Sequence, residues 1–339
     1  MKRVSSIDVA KLAGVSQSTV SRVFSPNANV SAEKRERILE AARQLGYKPN
    51  ALARSLITQS TNLIGIVVAD VSSLFYANFL SALANRLREL RKQVILFNVG
   101  LDQTADEVLP TLLEYRVDAL IIAATTLSAD MAAECAQYGT PVILFNRAVK
   151  LDQVSSIGVD NLAGGQQIAD LFLQNDLQRF AYIAGIENTQ TNRYREQGFM
   201  SRLIENGVDE NDILREQGDY SYESGFAAAR RLLEREDRPD AIFCASDPMA
   251  FGAIDAARSL GLDVPTDVSI AGFDNVPQAE WGSYQLTTIA QPIDALLDST
   301  LAVLSQRLSE NNSFEPKIEH FPGELLVRKS VKLKDAEPI

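Results

Sequence analysis

Three polar side chains near the amino terminus have the types and spacing needed to read base edges in DNA. Gln17, Ser18 and Arg22 fall within one short predicted helix, and Ser18 and Arg22, four residues apart, share a face of it. Glutamine can bond adenine through two hydrogen bonds, and arginine can do the same with guanine. Val20 and Val23 turn inward on the other side. The pattern predicts a helix in the major groove, with an ordinary solvated helix face as the alternative.

Neighbouring polar residues suit contacts with phosphate groups, which position a protein on DNA without reading its sequence. Thr19, Ser21 and Asn29 are placed for such contacts, and Ser16 stands at the start of the same helix as its cap.

A second candidate DNA contact follows at residues 47–56. The segment is too short to form a stable helix alone, and Leu52 and Leu56 share one face of it. An apolar side chain there can wedge between base steps in the minor groove. The alternative is an interdomain linker with a small packed turn.

Short capped helices must hold these side chains in place. Ser5 or Ser6 can cap a helix over about residues 7–13, Gly14 ends it, and Ser16 caps the next, over about residues 17–24. The connection is so short that the two helices must cross at a sharp turn. A third helix runs from Ser31 to Gly46. The side chains expected in their shared core are Val9, Ala10, Ala13, Val15, Val20, Val23, Ile38 and Leu45.

The charges are segregated along the chain. The 339 residues carry a formal net charge of −11, yet residues 1–60 hold ten Lys and Arg against four Asp and Glu, a net charge of +6. The remaining residues therefore have a net charge of −17. A basic segment before an acidic body indicates a polyanionic partner for the amino-terminal end.

From Leu63 onward, apolar runs alternate with amphipathic helices, which is typical of a doubly wound parallel α/β fold. The length of this part favours two such lobes. Strands are expected at 63–69, 93–99, 119–123, 142–145, 156–159, 180–184, 241–244 and 269–273, and helices at 78–91, 162–174, 224–235 and 249–260. Ligands of such folds bind beyond the carboxyl ends of the strands.

Several kinds of chemistry have no support in the sequence. Phosphate-loop, dinucleotide-binding and hydrolase-elbow motifs are missing, so no cofactor is expected and catalysis is the weaker interpretation. Gly164 and Gly165 fall within a predicted helix and indicate close packing. Cys135, Cys244 and the single histidine, His320, give neither a disulfide framework nor a metal-ligand cluster. No long apolar run predicts a membrane segment, and a cytoplasmic protein is expected.

The residues that carry these expectations also resemble a known family, the lactose/galactose repressor (LacI/GalR) family of bacterial transcription regulators. The matching motifs run through nearly the whole chain, at residues 9–23, 30–31, 45–56, 64–65, 158–161, 247–253, 272–275 and 286–289. The resemblance implies an N-terminal all-α helix-turn-helix DNA-binding domain at 1–60, with a hinge helix at about 50–58. It also implies a two-lobed α/β effector domain at 61–339, similar to periplasmic sugar-binding proteins.

The resemblance further implies a homodimer on a palindromic DNA operator, with paired hinge helices in the central minor groove. Leu56 matches the intercalating leucine of the family, and the hinge contacts Asn50 and Ala53 belong to the same segment. The expected lobes are 62–159 with 291–322, and 160–290. The carboxyl-terminal tail lacks a leucine heptad, which favours dimers over zipper-linked tetramers.

The resemblance also implies that an effector binds in the cleft between the lobes. Arg195 matches the arginine that grips the effector, Asp274 matches the carboxylate that accepts from its hydroxyl or amine groups, and Ser246 stands where the family often has asparagine. Further candidate effector-binding residues are Phe75, Tyr76, Asn146, Arg147, Asp160, Arg193 and Tyr220. Asp160 could instead cap the following helix, Asp247 is expected to cap its own, and Arg195 could form an ion pair between the lobes.

The nearby arginines 147, 193 and 195 indicate a phosphorylated sugar or sugar acid, and a neutral sugar or a nucleoside is the alternative. Two other classes of protein were weighed: a sugar-binding protein without a DNA role, which the basic amino-terminal segment disfavours, and an enzyme using Asp160 and Asp274 as an acid and base pair.

Overall fold

The computed structural model describes residues 4–24, 30–48, 60–100, 104–123, 127–146, 154–187, 189–309 and 315–334. The chain divides into two units, Met1–Leu63 with Arg116–Asp118, and Ile64–Tyr115 with Ala119–Ile339.

Three short helices form the described part of the amino-terminal unit: α1 (Ser6–Ala13), α2 (Gln17–Val23) and α3 (Ala32–Leu45). Ser5 caps α1 by accepting from the backbone N–H of Asp8, whose carboxylate accepts in return from the backbone N–H of Ser5. Gly14 and Gly46 end α1 and α3 in the left-handed conformation, with φ values of 64° and 63°. The expected sharp connection between α1 and α2 is therefore present.

The predicted core of this unit is confirmed. Six of its side chains are buried: Val9, Ala10, Ala13, Val20, Val23 and Ile38. Val15 and Leu45 are partly buried against this cluster. Because all three helices contribute to one small core, the outward face of α2 is fixed by the valines on its inner face.

Asp118 holds the chain just before the first strand. Its carboxylate accepts from the backbone N–H groups of Thr61 (2.7 Å) and Asn62 (3.0 Å) and from the hydroxyl of Ser60 (2.7 Å). This chain segment is therefore fixed by hydrogen bonds from both backbone and side chain.

The second unit contains two six-stranded sheets. The first has the order β11-β5-β4-β3-β1-β2, and every pairing for which a register is given is parallel. Its strands are β1 (Leu63–Val68), β2 (Gln93–Asn98), β3 (Ala119–Ala123), β4 (Val142–Phe145), β5 (Ser155–Val159) and β11 (Ile318–Phe321).

The second sheet has the order β12-β10-β9-β8-β6-β7 and is parallel except for the pairing of β10 with β12. Its strands are β6 (Phe180–Ala184), β7 (Leu214–Gln217), β8 (Ala241–Cys244), β9 (Ser269–Asp274), β10 (Thr287–Ala290) and β12 (Glu324–Leu326). The central strands of both sheets are buried along their length, as expected for strands covered on both faces.

Helices cover the sheets. They are α4 (Leu74–Glu89), α5 (Ala105–Glu114), α6 (Ala129–Gln137), α7 (Asn161–Gln174), α8 (Gln190–Glu205), α9 (Tyr222–Leu233), α10 (Asp247–Ser259) and α11 (Ile293–Ser309). The expected two-lobed α/β architecture is confirmed, and no helix within the described ranges has the length and apolar composition needed to cross a bilayer.

Glycines bring two pairs of these helices into backbone contact. A methyl group on Gly165 of α7 would overlap the carbonyl oxygen of Arg195 on α8, and one on Gly198 of α8 would overlap that of Leu162. Gly225 and Gly252 play the same part between α9 and α10. The predicted packing role of Gly164 and Gly165 is confirmed, since Gly164 also lies against the ring of Phe273.

All eight predicted strands are present, with ends that differ by at most one residue. Four strands were missed, namely β7, β10, β11 and β12. β7 has the sequence Leu-Arg-Glu-Gln and lies at a sheet edge, where alternate side chains face solvent. Short strands of this kind lack a dense apolar run and are hard to detect from sequence.

Candidate functional site

The outward face of α2 presents the side chains predicted to contact DNA. Gln17, Ser18 and Arg22 are exposed, whereas Val20 and Val23 are buried beneath them. Ser16 is exposed too, and Thr19 and Ser21 are half-buried. The same helix therefore combines an apolar inner face with a polar outer face that carries the side chains predicted to read bases.

Hydroxyl groups gather at the beginning of α2. The Ser16 hydroxyl accepts from the backbone N–H of Thr19 (3.3 Å) and lies 2.8 Å from both the Ser18 and the Thr19 hydroxyls. The Gln17 amide donates to the hydroxyl of Ser6 (3.1 Å). These bonds fix the side chains of the first turn on one side of the helix.

Four predicted DNA contacts, Asn29, Asn50, Ala53 and Leu56, lie outside the described residues, as does the expected hinge helix at 50–58.

A cavity of about 390 Å³ lies where the carboxyl ends of strands from both sheets meet. Asn146 directly follows β4, Ser246 lies two residues after the end of β8, and Asp274 ends β9. Seven of the ten predicted effector-binding residues line it: Phe75, Tyr76, Asn146, Arg195, Tyr220, Ser246 and Asp274.

Arg195 is the most heavily bonded of these side chains, and it is only 2% exposed. Its guanidinium donates to the side-chain oxygen of Asn161 (2.8 Å), the carbonyl oxygen of Ala245 (2.5 Å) and the carboxylate of Asp274 (3.1 Å). It also stacks over the ring of Phe273, 3.6 Å from the ring centre. The arginine therefore joins α7, α8 and the ends of β8 and β9.

Asp274 lies between this arginine and Gln291, whose amide donates to the same carboxylate oxygen (2.6 Å). Burial raises the pKa of Asp274, and the bonds from Arg195 and Gln291 oppose that rise. The carboxylate is thus held in a fixed orientation at the cavity wall.

Asp247 lies behind Asp274 and is fully buried. It accepts from the hydroxyl of Thr288 (2.6 Å) and the backbone N–H of Val276 (2.8 Å). Burial and the neighbouring Asp274 charge raise the pKa of Asp247 well above its usual range. The expectation that Asp247 caps its own helix was wrong: Ser246 is the cap residue of α10, and the Asp247 carboxylate bonds residues from β10 and the loop after β9 instead.

Aromatic rings come from both lobes. Phe75 and Tyr76 lie on α4 and pack edge to face, with ring centres 5.4 Å apart. Tyr220 follows β7, and its hydroxyl lies 3.0 Å from that of Thr189. Any side chain at Gly185 would overlap the Tyr220 ring, so this glycine gives the ring its position.

Asn146 and Ser246 carry buried oxygens for which no partner exists among the described residues. They are 6% and 3% exposed, and the oxygens concerned are Oδ1 of Asn146 and Oγ of Ser246. Because a buried polar atom left unpaired is costly, the arrangement favours a polar ligand that supplies the missing bonds.

Backbone strain is also concentrated around the cavity. Asn146, Tyr220 and Asp274 have positive φ values of 56°, 73° and 118°. Such conformations cost free energy in residues other than glycine and are common at binding sites.

Two predicted effector residues, Asp160 and Arg193, are not in the described wall of the cavity. Asp160 caps α7 by accepting from the backbone N–H of Ala163 (2.9 Å). Capping is the alternative role that was predicted for this residue. Arg193 is exposed on the outer side of α8, because it is two residues from Arg195 and so projects from another face. Arg147 lies outside the described residues.

Sequence reasoning missed several residues of the wall, chiefly Asp70, Thr189, Asp219 and Glu223. Asp219 follows β7, the edge strand that the sequence does not reveal, and Glu223 lies in the first turn of α9. Thr189 is the N-cap residue of α8, and the preference for serine and threonine at this position could have predicted that role from the sequence.

Cys135 and Cys244 are free thiols, and both are buried. Burial raises the pKa of Cys135 to about 11, and it raises that of Cys244 further.

Comparison with known proteins agrees with this combination of a helix-turn-helix and a two-lobed cavity. The family model for bacterial regulatory proteins of the lacI family matches residues 7–50, and that for the periplasmic binding protein-like domain matches residues 169–331. Catabolite control protein A of Priestia megaterium is 30% identical over 327 residues, 96% of this chain and 98% of the relative. The chain therefore belongs to the lacI family of bacterial transcription regulators.

Solved structures of the family are similar over the same length. The lac repressor dimer bound to operator and the anti-inducer ONPF has a TM-score of 0.84 and 28% identity, and the match covers 97% of this chain and 99% of that one. The transcriptional regulator CelR in complex with cellobiose has a TM-score of 0.71 and 29% identity, covering 97% and 100%.

Proposed function

We propose that this protein is a repressor that binds a palindromic operator as a homodimer and is controlled by a sugar-class molecule in the cavity. One observation supports this proposal most directly. The same chain presents side chains of the types that read bases on a fixed helix, and it has unpaired buried polar atoms around a cavity. A regulator of operator DNA acts in the cytoplasm, where the chromosome lies.

The similar structures support both halves of this proposal. The lac repressor was solved as a dimer on its operator, and CelR was solved with cellobiose. Two-fold symmetry of the protein would match half-sites about one helical turn apart on the DNA.

The proposed DNA contacts are the predicted ones. Gln17, Ser18 and Arg22 read bases, and Ser16, Thr19 and Ser21 contact phosphates. Asn29, Asn50, Ala53 and Leu56 keep their proposed roles from the sequence alone.

The proposed effector contacts are the residues gathered at the cavity. Arg195 and Asp274 bond the ligand's polar groups, and Asn146 and Ser246 gain partners from it. Rings from the two lobes would cover its opposite faces, so that the ligand favours one closure state of the lobes. A preference of about 3 kcal/mol would change operator affinity about 150-fold.

A binding experiment with Gln17→Ala tests the DNA half. If Gln17 reads a base, the variant should lose about 1–3 kcal/mol of discrimination at one operator position while still binding DNA. Fluorescence anisotropy on an operator and its single-base variants measures this. Gln44→Ala, which removes an exposed glutamine on α3 of the same unit, is the matched control.

Equal weakening on all sequences would show that Gln17 does not read a base. Failure of the unaltered protein to bind any genomic fragment at moderate salt would remove the proposal itself.

A further inference from the structure

The charge of the cavity wall is negative among the described residues. Four carboxylates line it, Asp70, Asp219, Glu223 and Asp274, against the single guanidinium of Arg195. Since Arg195 and Asp274 pair with each other, three carboxylates are left without a cation in the described wall. A ligand that enters this cavity meets a negative potential.

The arginine has little capacity left for an anion. Its three nitrogen atoms already donate to Asn161, Ala245 and Asp274, and its flat face is stacked on Phe273. A phosphate or carboxylate normally takes two parallel bonds from a free guanidinium fork. Here one N–H remains on each terminal nitrogen, and the residue is only 2% exposed, so little of the fork is open to such a ligand.

The unpaired buried atoms add acceptors to the same wall. Asn146 Oδ1 accepts only, and Ser246 Oγ can accept or donate. Together with the carboxylate oxygens, they call for a ligand that is rich in N–H and O–H donors.

The aromatic rings fit the same ligand. Tyr76 and Tyr220 line the cavity together with Phe75. Such rings cover the apolar face of a sugar and also attract a cation through their π-electrons.

We propose that the effector is a polyhydroxylated molecule that carries a protonated amine, of the amino sugar class, and that the cavity rejects phosphorylated and carboxylated sugars. The inference deepens the proposed function and rests on it for the role of the ligand as an effector. It replaces the anionic sugar derivative suggested by three nearby arginines, since Arg193 lies outside the wall, Arg195 already makes three buried hydrogen bonds, and Arg147 lies outside the described residues.

Calorimetric titration of the full chain tests the charge preference separately from sugar stereochemistry. For the gluco, galacto and manno series, the parent sugar, the 2-amino sugar, the uronic acid and the 6-phosphate would be compared at low and at moderate salt. In the series that fits, the amino sugar should bind about tenfold more tightly than its parent at low salt, and added salt should reduce this advantage. The acid and the phosphate should bind more weakly than the parent.

Variants locate the source of the preference. Asp219→Asn with Glu223→Gln removes two wall charges from exposed positions and should reduce the advantage of the amino sugar at least threefold. The affinity for the parent sugar should fall by a smaller factor, because the amide oxygens of the variant can still accept from its hydroxyl groups. Glu234→Gln with Asp237→Asn, which neutralises two exposed carboxylates outside the wall, should leave the advantage unchanged.

The outcomes separate this inference from the proposed function. The inference of an amino sugar is overturned if no amino sugar binds, if the parent sugar binds as tightly as the amino sugar, or if an acid or phosphate binds best. It is also overturned if both variant pairs change the advantage of the amino sugar equally. Should a neutral or anionic ligand then alter operator affinity, the proposed function stands without this inference. If the chain instead binds an amino sugar but binds none of the operator fragments, the proposed ligand class stands and the proposed function is contradicted.

Discussion

At the scale of single residues, Arg195 holds the polar wall of the cavity together. Its guanidinium bonds side chains or backbone from three different segments while almost completely buried. Such a group is stable only with its partners in place, because a buried charge without a partner is costly. The residue expected to grip the effector therefore also has a structural role.

This dual role predicts the effect of truncating the arginine. Arg195→Ala should lower the free energy of unfolding by about 3–5 kcal/mol, because the variant leaves the carboxylate of Asp274 buried without its cation. Arg202→Ala on the same helix should cost much less, since its pair with Asp170 is partly exposed and screened by solvent. Urea unfolding of both variants measures the difference, and equal losses would contradict the role given to the buried pair.

The buried carboxylate of Asp247 predicts a dependence of stability on pH. Because its pKa is raised in the folded protein, the folded state binds this proton more strongly than the unfolded state, whose carboxyl ionises at about pH 4. Its contribution to stability is therefore present below that pH and is lost as the pH rises, by up to about 1.4 kcal/mol per pH unit.

Asp247→Asn should remove this dependence, since an asparagine can still accept from Val276 and bond Thr288. The difference in unfolding free energy, variant minus wild type, should grow as the pH rises above about 4 and should level off once Asp247 ionises in the folded protein. A difference that is constant over this range, in denaturant titrations at matched ionic strength, would show that Asp247 is ionised in both states.

At the scale of elements, the position of Arg195 depends on how closely α7 and α8 approach. Gly165 and Gly198 face the backbone of the opposite helix, each against a carbonyl oxygen. The helix that carries the arginine is thereby set against the helix whose first residue, Asn161, accepts from it.

A methyl group at this contact should separate the helices. Gly165→Ala should destabilise the protein by about 1–3 kcal/mol, because neither backbone can yield easily, and it should weaken ligand binding by moving Arg195. Gly282→Ala is the matched control, since no atom lies within 4 Å of the added carbon. Thermal unfolding and titration of both variants test the contact, and a neutral effect of Gly165→Ala would contradict it.

At the scale of the whole molecule, the charge is divided between a basic amino-terminal segment and an acidic body. Residues 1–60 have a net charge of +6 and the remainder −17. A cationic segment attracts phosphates, and an acidic body opposes indiscriminate binding to nucleic acid.

Effector and operator should influence each other equally if they bias one equilibrium. A ligand that changes operator affinity by a given factor must have its own affinity changed by that factor when operator is bound. We expect a factor between about 5 and 150, measured by titrating the ligand with and without saturating operator. A factor of one, with both partners bound, would contradict control of the operator by the cavity.

The sequence by itself determined the local elements and the class of fold. Capping serines, left-handed glycines and valine spacing placed α1, α2 and α3 with their core, and dense apolar runs placed the eight strands that the sequence predicted. These features follow from interactions between residues close together in the chain, which is why they can be read directly. The edge strand β7 was not predicted, because its sequence has no dense apolar run and its pairing involves a distant segment, β6.

Only the tertiary structure decided which polar residues meet in the cavity and which of them are already bonded. Arg193 and Arg195 differ by two positions in sequence, yet one is exposed and the other is buried with three partners. The charge of the wall likewise depends on Asp219, which follows β7, and on Glu223, at the start of α9. Whether a side chain is available to a ligand depends on bonds between distant segments, and these form only when the sheets and helices have packed.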